Sequence, residues 1–168
     1  GLNHRAYLGQ CLGSTLAQTY RPIEVTYIDN GSTDGSLELV RERHPQVRTV
    51  SNGANLGYSG GHNVGIRCTE GKYVLLLNPD VRLMPPFVAE AVRVLESADD
   101  VGMVAGKLLL MDEAGHASSR LDATGIVIDR YRKNHERGHG EEDVGQYDRI
   151  EPIFGAFGAA SLYRRAML

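Results

Sequence analysis

Two short runs in this chain end in the same way. Val25-Thr-Tyr-Ile28 gives onto Asp29-Asn-Gly-Ser-Thr-Asp34, and Tyr73-Val-Leu-Leu-Leu77 gives onto Asn78-Pro-Asp80. Runs of this length are strand-sized, and an abrupt change to carboxylates, amides and glycine marks a strand that stops at a polar crevice. In an open α/β sheet, ligands bind outside the carboxyl ends of the strands. Asp29 and Asn30 on one strand end, with Asn78 and Asp80 on the other, therefore form a candidate seat for a nucleotide and its metal ion.

The segments between these runs fit that architecture. Leu8, Leu12 and Leu16 recur every four residues within a helix expected over Asn3 to Thr19, and Ile23 to Ile28 follows as a strand. Asp34 or Ser36 caps a second helix that stops at His44-Pro45, and Val47 to Val50 is a short strand. The glycine-rich stretch Asn55 to Gly65 leads into a helix ending near Glu70-Gly71. Tyr73 to Leu77 has no polar alternation, which predicts a strand buried on both faces. Pro85 and Pro86 suit the first turn of a helix whose apolar face is Phe87, Val88, Ala91, Val92 and Leu95. Val101 to Ala105 and Lys107 to Met111 are strand-like. Strand–helix alternation of this kind predicts an α/β fold with a mostly parallel sheet flanked by helices.

Beyond Asp112 the pattern weakens. Thr124 to Asp129 reads as a strand, Tyr131 to Tyr147 as a charged loop or mobile arm, and Ile153 to Tyr163 as a small-residue strand or strand–turn. The chain opens on a helix where a parallel sheet commonly opens on a strand, and it stops where a further helix begins, which reads as a fragment of one domain.

Composition narrows the function. A net charge of −3 argues against a nucleic-acid partner, whose binding face is normally basic and clustered. No apolar run approaches the roughly 18 residues of a membrane span. Cys11 and Cys68 lie in expected helices without metal-type spacing, which fits reduced thiols and a cytoplasmic setting. His135-Glu-Arg-Gly-His139 matches a zinc-protease motif in letters only, because that chemistry needs both histidines on one helix face and Gly138 and Gly140 interrupt any helix.

The remaining motifs suit a sugar nucleotide. Asp29, after a buried strand, can accept the imide N–H of a uracil or thymine ring, and the same Asp-Asn-Gly-Ser segment also serves as a plain turn. Asn55, Gly57 and the glycines at 60, 61 and 65 let backbone amides approach a diphosphate, with His62 beside them. The segment has neither a P-loop lysine nor the dinucleotide spacing. Asp80 is the best metal ligand, because magnesium needs only one or two protein carboxylates when phosphate and water complete its octahedron. Asn78 is a neutral second ligand or a ribose contact. Gly155, Ala156 and Gly158 are small enough for an acceptor to lie against the backbone, or for a strand to pack closely.

Taken in order, these motifs resemble the family-two inverting glycosyltransferases of the glycosyltransferase A fold, and most closely their bacterial rhamnosyltransferase-like branch. The resemblance is carried by Ala17-Gln-Thr-Tyr20, Ile28 to Ser36, Asn55 to Gly65, Leu77-Asn-Pro-Asp-Val81 and Gly158 to Arg165. The usual Asp-x-Asp of the family is Asn78-Pro-Asp80 here, a form common in that branch. The resemblance implies transfer of a sugar, rhamnose from a thymidine diphosphate donor, to a saccharide or lipid-linked saccharide, with Mg2+ or Mn2+ as cofactor. It makes residues 1–111 the donor-binding part and 112–168 the start of the acceptor-side part, whose wall includes Gly155, Ala156 and Gly158. It places the family's first strand ahead of Asn3 and the catalytic base beyond Leu168, so no catalytic residue is assigned within the chain. It also leaves room for association with the inner face of the cell membrane through flanking segments. The alternatives are a non-catalytic nucleotide-sugar-binding domain and a sugar nucleotidyltransferase.

Overall fold

The computed structural model describes residues 1–112 and 114–168. Helix α1 (Arg5–Leu16) is followed by strand β1 (Thr26–Asp29), α2 (Ser36–Arg43), β2 (Arg48–Ser51), α3 (Gly57–Arg67), β3 (Tyr73–Leu77) and α4 (Phe87–Leu95). The second half contributes β4 (Met103–Ala105), β5 (Leu108–Met111), β6 (Ala117–Ala123), β7 (Ile126–Ile128), β8 (Asn134–Glu136), β9 (Ala160–Arg164) and a 3-10 turn at Arg165–Met167. The fold is α/β, as the alternation predicts.

The expectation of a mostly parallel sheet does not hold. Among the described residues, β1 and β2 are the one parallel pair. β9 returns from the far end of the chain and inserts antiparallel between β3 and β4. β5–β6 and β7–β8 are antiparallel hairpins. Helical crossovers enforce parallel pairing only for the strands they connect, and nothing in the local pattern marks β9 as an insertion.

Apolar packing divides into two clusters. Leu8 and Leu12 of α1 meet Tyr27, Val40 and Val47 on one side of the molecule. On the other, Val88, Ala91, Val92 and Leu95 of α4 pack against Leu162 of β9. Leu95 and Val40 are fully buried, each contributing about 1.5–3 kcal/mol of transfer free energy.

Between the two clusters lies a gap. β1 is paired only on its β2 side and β3 only on its β9 side, and their free edges face each other across a cavity of about 480 Å³. Leu8, Leu12, Val88 and Val92 line it. The only buried side-chain polar atoms without a partner among the described residues are Thr26 Oγ1 and His62 Nδ1, and both residues border this cavity. Gly1 stands at its mouth. Its amino group donates to Ile28 O, and its carbonyl accepts from Asn30 N at 2.8 Å, the two bonds of a parallel strand residue opposite Asp29. The cavity explains why β3 is not buried on both faces: Val74 is buried and its four strand neighbours are half-buried.

The segment expected as a loop or mobile arm over Tyr131 to Tyr147 holds some regular structure. It contains β8, and Arg120 and Glu142 form an isolated bridge that ties it to β6. Its charge hid a strand that is held by pairing rather than by burial.

Candidate functional site

The turn after β1 is built by its own carboxylate. Asp29 is 2% exposed, and its Oδ2 accepts from Gly31 N and Ser32 N, each at 3.2 Å. Oδ1 makes only contacts of 3.4 Å, with Tyr27 Oη and Ser32 N, and so keeps lone pairs for a further donor. The N-cap position of α2 is Gly35, not Asp34 or Ser36, and Asp34 just before it accepts from the first residues of two helices, Ser36 N at 3.0 Å and Arg5 N at 3.0 Å.

Asn30 gathers the next shell. Its Nδ2 donates to Gly57 O at 3.0 Å and to Asn55 Oδ1 at 3.4 Å, while Asn52 Nδ2 donates to its Oδ1 at 2.7 Å. Asn55 Oδ1 also accepts from Gly57 N at 2.9 Å. The glycine-rich stretch, expected as a loop, is already helical from Gly57. Its glycines let α3 lie directly on the end of β1: a Cβ on Gly61 would stand 3.1 Å from Asn30 Nδ2, and one on Gly65 3.3 Å from Ile28. The structure brings Asp29, Asn55 and Gly57, all named from the sequence, to one strand end.

The second strand end is joined to the first through Gly1, where a Cβ would meet Pro79 at 2.9 Å. Asn78 N donates to Ala159 O at 2.8 Å, which seats the small-residue segment beside Asn78. Asp80 is exposed, and its carboxylate has no hydrogen bond or ion pair among the described residues. A free hard-oxygen ligand at a strand end, with a neutral amide two residues before it, fits Mg2+ or Mn2+ whose other ligands are phosphate and water. No group of three metal-ligating side chains gathers among the described residues.

Two features escaped sequence reading. Tyr58 Oη donates to Gly158 O at 2.6 Å, tying α3 to the small-residue segment across 100 positions. Asp122, at the end of β6, lies within electrostatic reach of Asp80. Burial raises its carboxyl above the usual range, His139 opposes this, and Glu136 and Asp80 add to it. His62, named from the sequence beside the glycines, packs its ring on Tyr58 with centroids 4.2 Å apart. Asp122 sits in no recognisable motif, and Tyr58 lies within Asn55 to Gly65 at a position given no role from the sequence. His139 approaches Asp122 and His135 approaches Asp129, so the two histidines of the protease-like string serve separate carboxylates.

Burial lowers the pKa of His62 below its ordinary 6.5, with a smaller contribution from the Gly1 amino group. The folded state therefore favours neutral imidazole. Stability is complete above the unfolded pKa and is lost as pH falls through it, because the unfolded chain then binds the proton more readily. Urea unfolding at pH 7.5 and pH 5 is expected to show this loss, and His62→Gln to reduce it. An unchanged pH dependence in the variant would remove His62 as its source.

The chain matches the model of glycosyl transferase family 2 over residues 2–168, and it belongs to that family. Its fold is shared with the mannosyltransferase PcManGT from Pyrobaculum calidifontis, solved in complex with GDP-Man and Mn2+, at a TM-score of 0.67 and 20% identity over 99% of this chain and 43% of that one. An uncharacterized glycosyltransferase of Haemophilus influenzae is 29% identical over 66% of this chain and 35% of its own length. The N-acetylglucosaminyl-diphospho-decaprenol L-rhamnosyltransferase of Mycobacterium tuberculosis is 36% identical over 47% of this chain and 29% of its own. The chain thus spans about a third of the curated relatives it matches.

Proposed function

We propose that this chain is the donor-binding portion of a glycosyltransferase that moves a sugar from a nucleoside diphosphate to a saccharide or lipid-linked saccharide. Residues 1–111 hold the donor and 112–168 begin the acceptor side. The observation that carries the reading is the unengaged carboxylate of Asp80, opposite an amide-lined strand end that is framed by Asp29, Asn30 and Asn55. Asp29 Oδ1 receives the imide N–H of a pyrimidine, and the amide and glycine edge of α3 faces the diphosphate. Asp80, with Asn78, holds a divalent cation, which supplies charge neutralisation for the departing diphosphate. The likeness to the mycobacterial rhamnosyltransferase favours rhamnose as the sugar.

In the inverting reaction an acceptor hydroxyl oxygen attacks the anomeric carbon. The bond from that carbon to the diphosphate breaks, and the hydroxyl proton passes to a carboxylate base. No residue of this chain is assigned as that base, and Gly155, Ala156 and Gly158 form the wall along which the acceptor lies.

Calorimetric titration with thymidine, uridine and guanosine diphosphates, with and without Mn2+, tests the reading. Manganese-dependent binding that favours thymidine or uridine, weakened at least tenfold in Asp80→Ala, is the expected result. Equal affinity in Asp80→Ala, or no binding by a chain shown to be folded by circular dichroism, would overturn it.

A further inference from the structure

We infer that the β7–β8 hairpin is a docking element for an anionic phospholipid surface. Its tip, Asp129-Arg-Tyr-Arg-Lys133, concentrates three cations on a chain whose net charge is −3. None of Arg130, Arg132 and Lys133 forms an ion pair with a carboxylate among the described residues, whereas the nearby Arg137 is paired with Glu151. Between the cations stands Tyr131, 67% exposed, with Val127 and Ile128 exposed on the adjoining strand. The Arg130 guanidinium lies 4.7 Å from the Tyr131 ring centroid and donates to its Oη at 2.7 Å.

The tip is held in this form. Asp129 Oδ1 accepts from Tyr131 N at 2.8 Å and Lys133 N at 3.0 Å, and its Oδ2 contacts His135 Nε2 at 3.0 Å. Arg132 N donates to Asp129 O at 3.0 Å, and Arg132 adopts φ +62°, a conformation that costs about 1 kcal/mol or more for a residue other than glycine. The one carboxylate of the tip is thus engaged by the turn, and the cations and aromatic ring are left to solvent. Cations flanking an exposed tyrosine suit a bilayer interface, where the ring enters the headgroup layer and the charges meet anionic lipid.

The acidic remainder of the chain decides between kinds of polyanion. A nucleic acid that wraps the surface would meet Glu136, Glu141, Glu142 and Asp143, which follow the tip within about ten residues. A planar membrane need touch only what projects, and charges farther away are screened beyond roughly 8 Å at physiological ionic strength. At its base the hairpin is bonded to the acceptor-side segment, with Ile126 N donating to Gly155 O at 2.8 Å. Docking the tip therefore fixes the distance from a membrane to the wall along which a lipid-linked acceptor would lie. That use rests on the proposed function, whereas the docking itself does not.

Co-sedimentation of the 168-residue chain with phosphatidylglycerol–phosphatidylcholine vesicles, and with pure phosphatidylcholine, tests the inference. At about 1 kcal/mol per cation near an anionic surface, replacing Arg130, Arg132 and Lys133 with serine should weaken binding on the order of a hundredfold. Tyr131→Ser should weaken it severalfold, replacement of both arginines by lysine should preserve it, and raised salt should abolish it. Donor titration of the same variants should be unchanged, which separates this inference from the donor reading. Equal retention of the serine variant, equal binding to neutral vesicles, or capture of a short RNA without vesicle binding would overturn it.

Discussion

Extending the chain ahead of Gly1 by five residues of alternating valine and isoleucine should raise its melting temperature by roughly 10 °C, at about 2–4 °C per kcal/mol for a chain of this size. The cavity between β1 and β3 has the features of a strand position: two unpaired edges, apolar walls and two unpartnered polar atoms. Gly1 already makes the hydrogen bonds of a parallel strand alongside β1, so a preceding residue is directed into the cavity. Each apolar side chain buried there contributes about 1.5–3 kcal/mol, against about 1–2 kcal/mol for ordering each backbone residue. Hydrogen bonds to both edges add about 1 kcal/mol each. A net gain of about 3–6 kcal/mol follows.

The register can be read as well. Gly1 bonds Ile28 O and Asn30 N, so the even-numbered residues of β1 present their backbone to the cavity. Hydrogen exchange at Thr26 and Ile28 amides should slow in the extended chain. The control is an extension of the same length built from proline and aspartate, which can neither pair nor bury. Equal melting temperatures for the two extensions would show that the cavity does not accept a strand. Joining the two half-sheets would also bring the two strand ends of the candidate site under one rigid element.

What the sequence revealed, and what it hid, follows from the range over which each element is specified. β3 was legible because five consecutive apolar residues stop at Asn78, and α4 because its apolar face recurs at helical spacing behind Pro86. The halt of α2 before Pro45 is likewise local. β6 was not legible, since Ala117-Ser-Ser-Arg carries no apolar alternation and is exposed, its strand form imposed by β5 through an irregular register. β9 was recognised as a small-residue strand or strand–turn, but its antiparallel place between β3 and β4 depends on partners more than 50 positions away. The site divides in the same way. Asp29, Asn30, Asn55 and Gly57 belong to turn chemistry that short windows encode, whereas the Tyr58–Gly158 tie and the approach of Asp122 to Asp80 exist only after folding.

Gly31→Val should destabilise the chain by about 3 kcal/mol and weaken nucleoside diphosphate binding at least a hundredfold. Gly31 adopts φ +86°, which costs a residue with a side chain about 1–2 kcal/mol and a β-branched one more. A Cβ there would also stand 3.1 Å from Ala54 Cα, 3.2 Å from its carbonyl carbon and 3.3 Å from its nitrogen. These are backbone atoms, so relief requires the 52–55 loop to move as a unit. That loop carries Asn52 and Asn55, which hold Asn30 in place, and the strand-end amide cluster would disperse with it. Gly53→Val separates the two contributions. Gly53 has φ +67° but nothing within 4 Å of its Cβ position, so the substitution meets the backbone penalty alone. Urea unfolding should find it destabilised by about 1–2 kcal/mol, with donor affinity within a few-fold of the parent. If Gly31→Val and Gly53→Val proved alike in both measurements, the close approach of Gly31 to Ala54 would not be what organises the site. If they part as expected, donor affinity is set by the placement of one loop against one strand end.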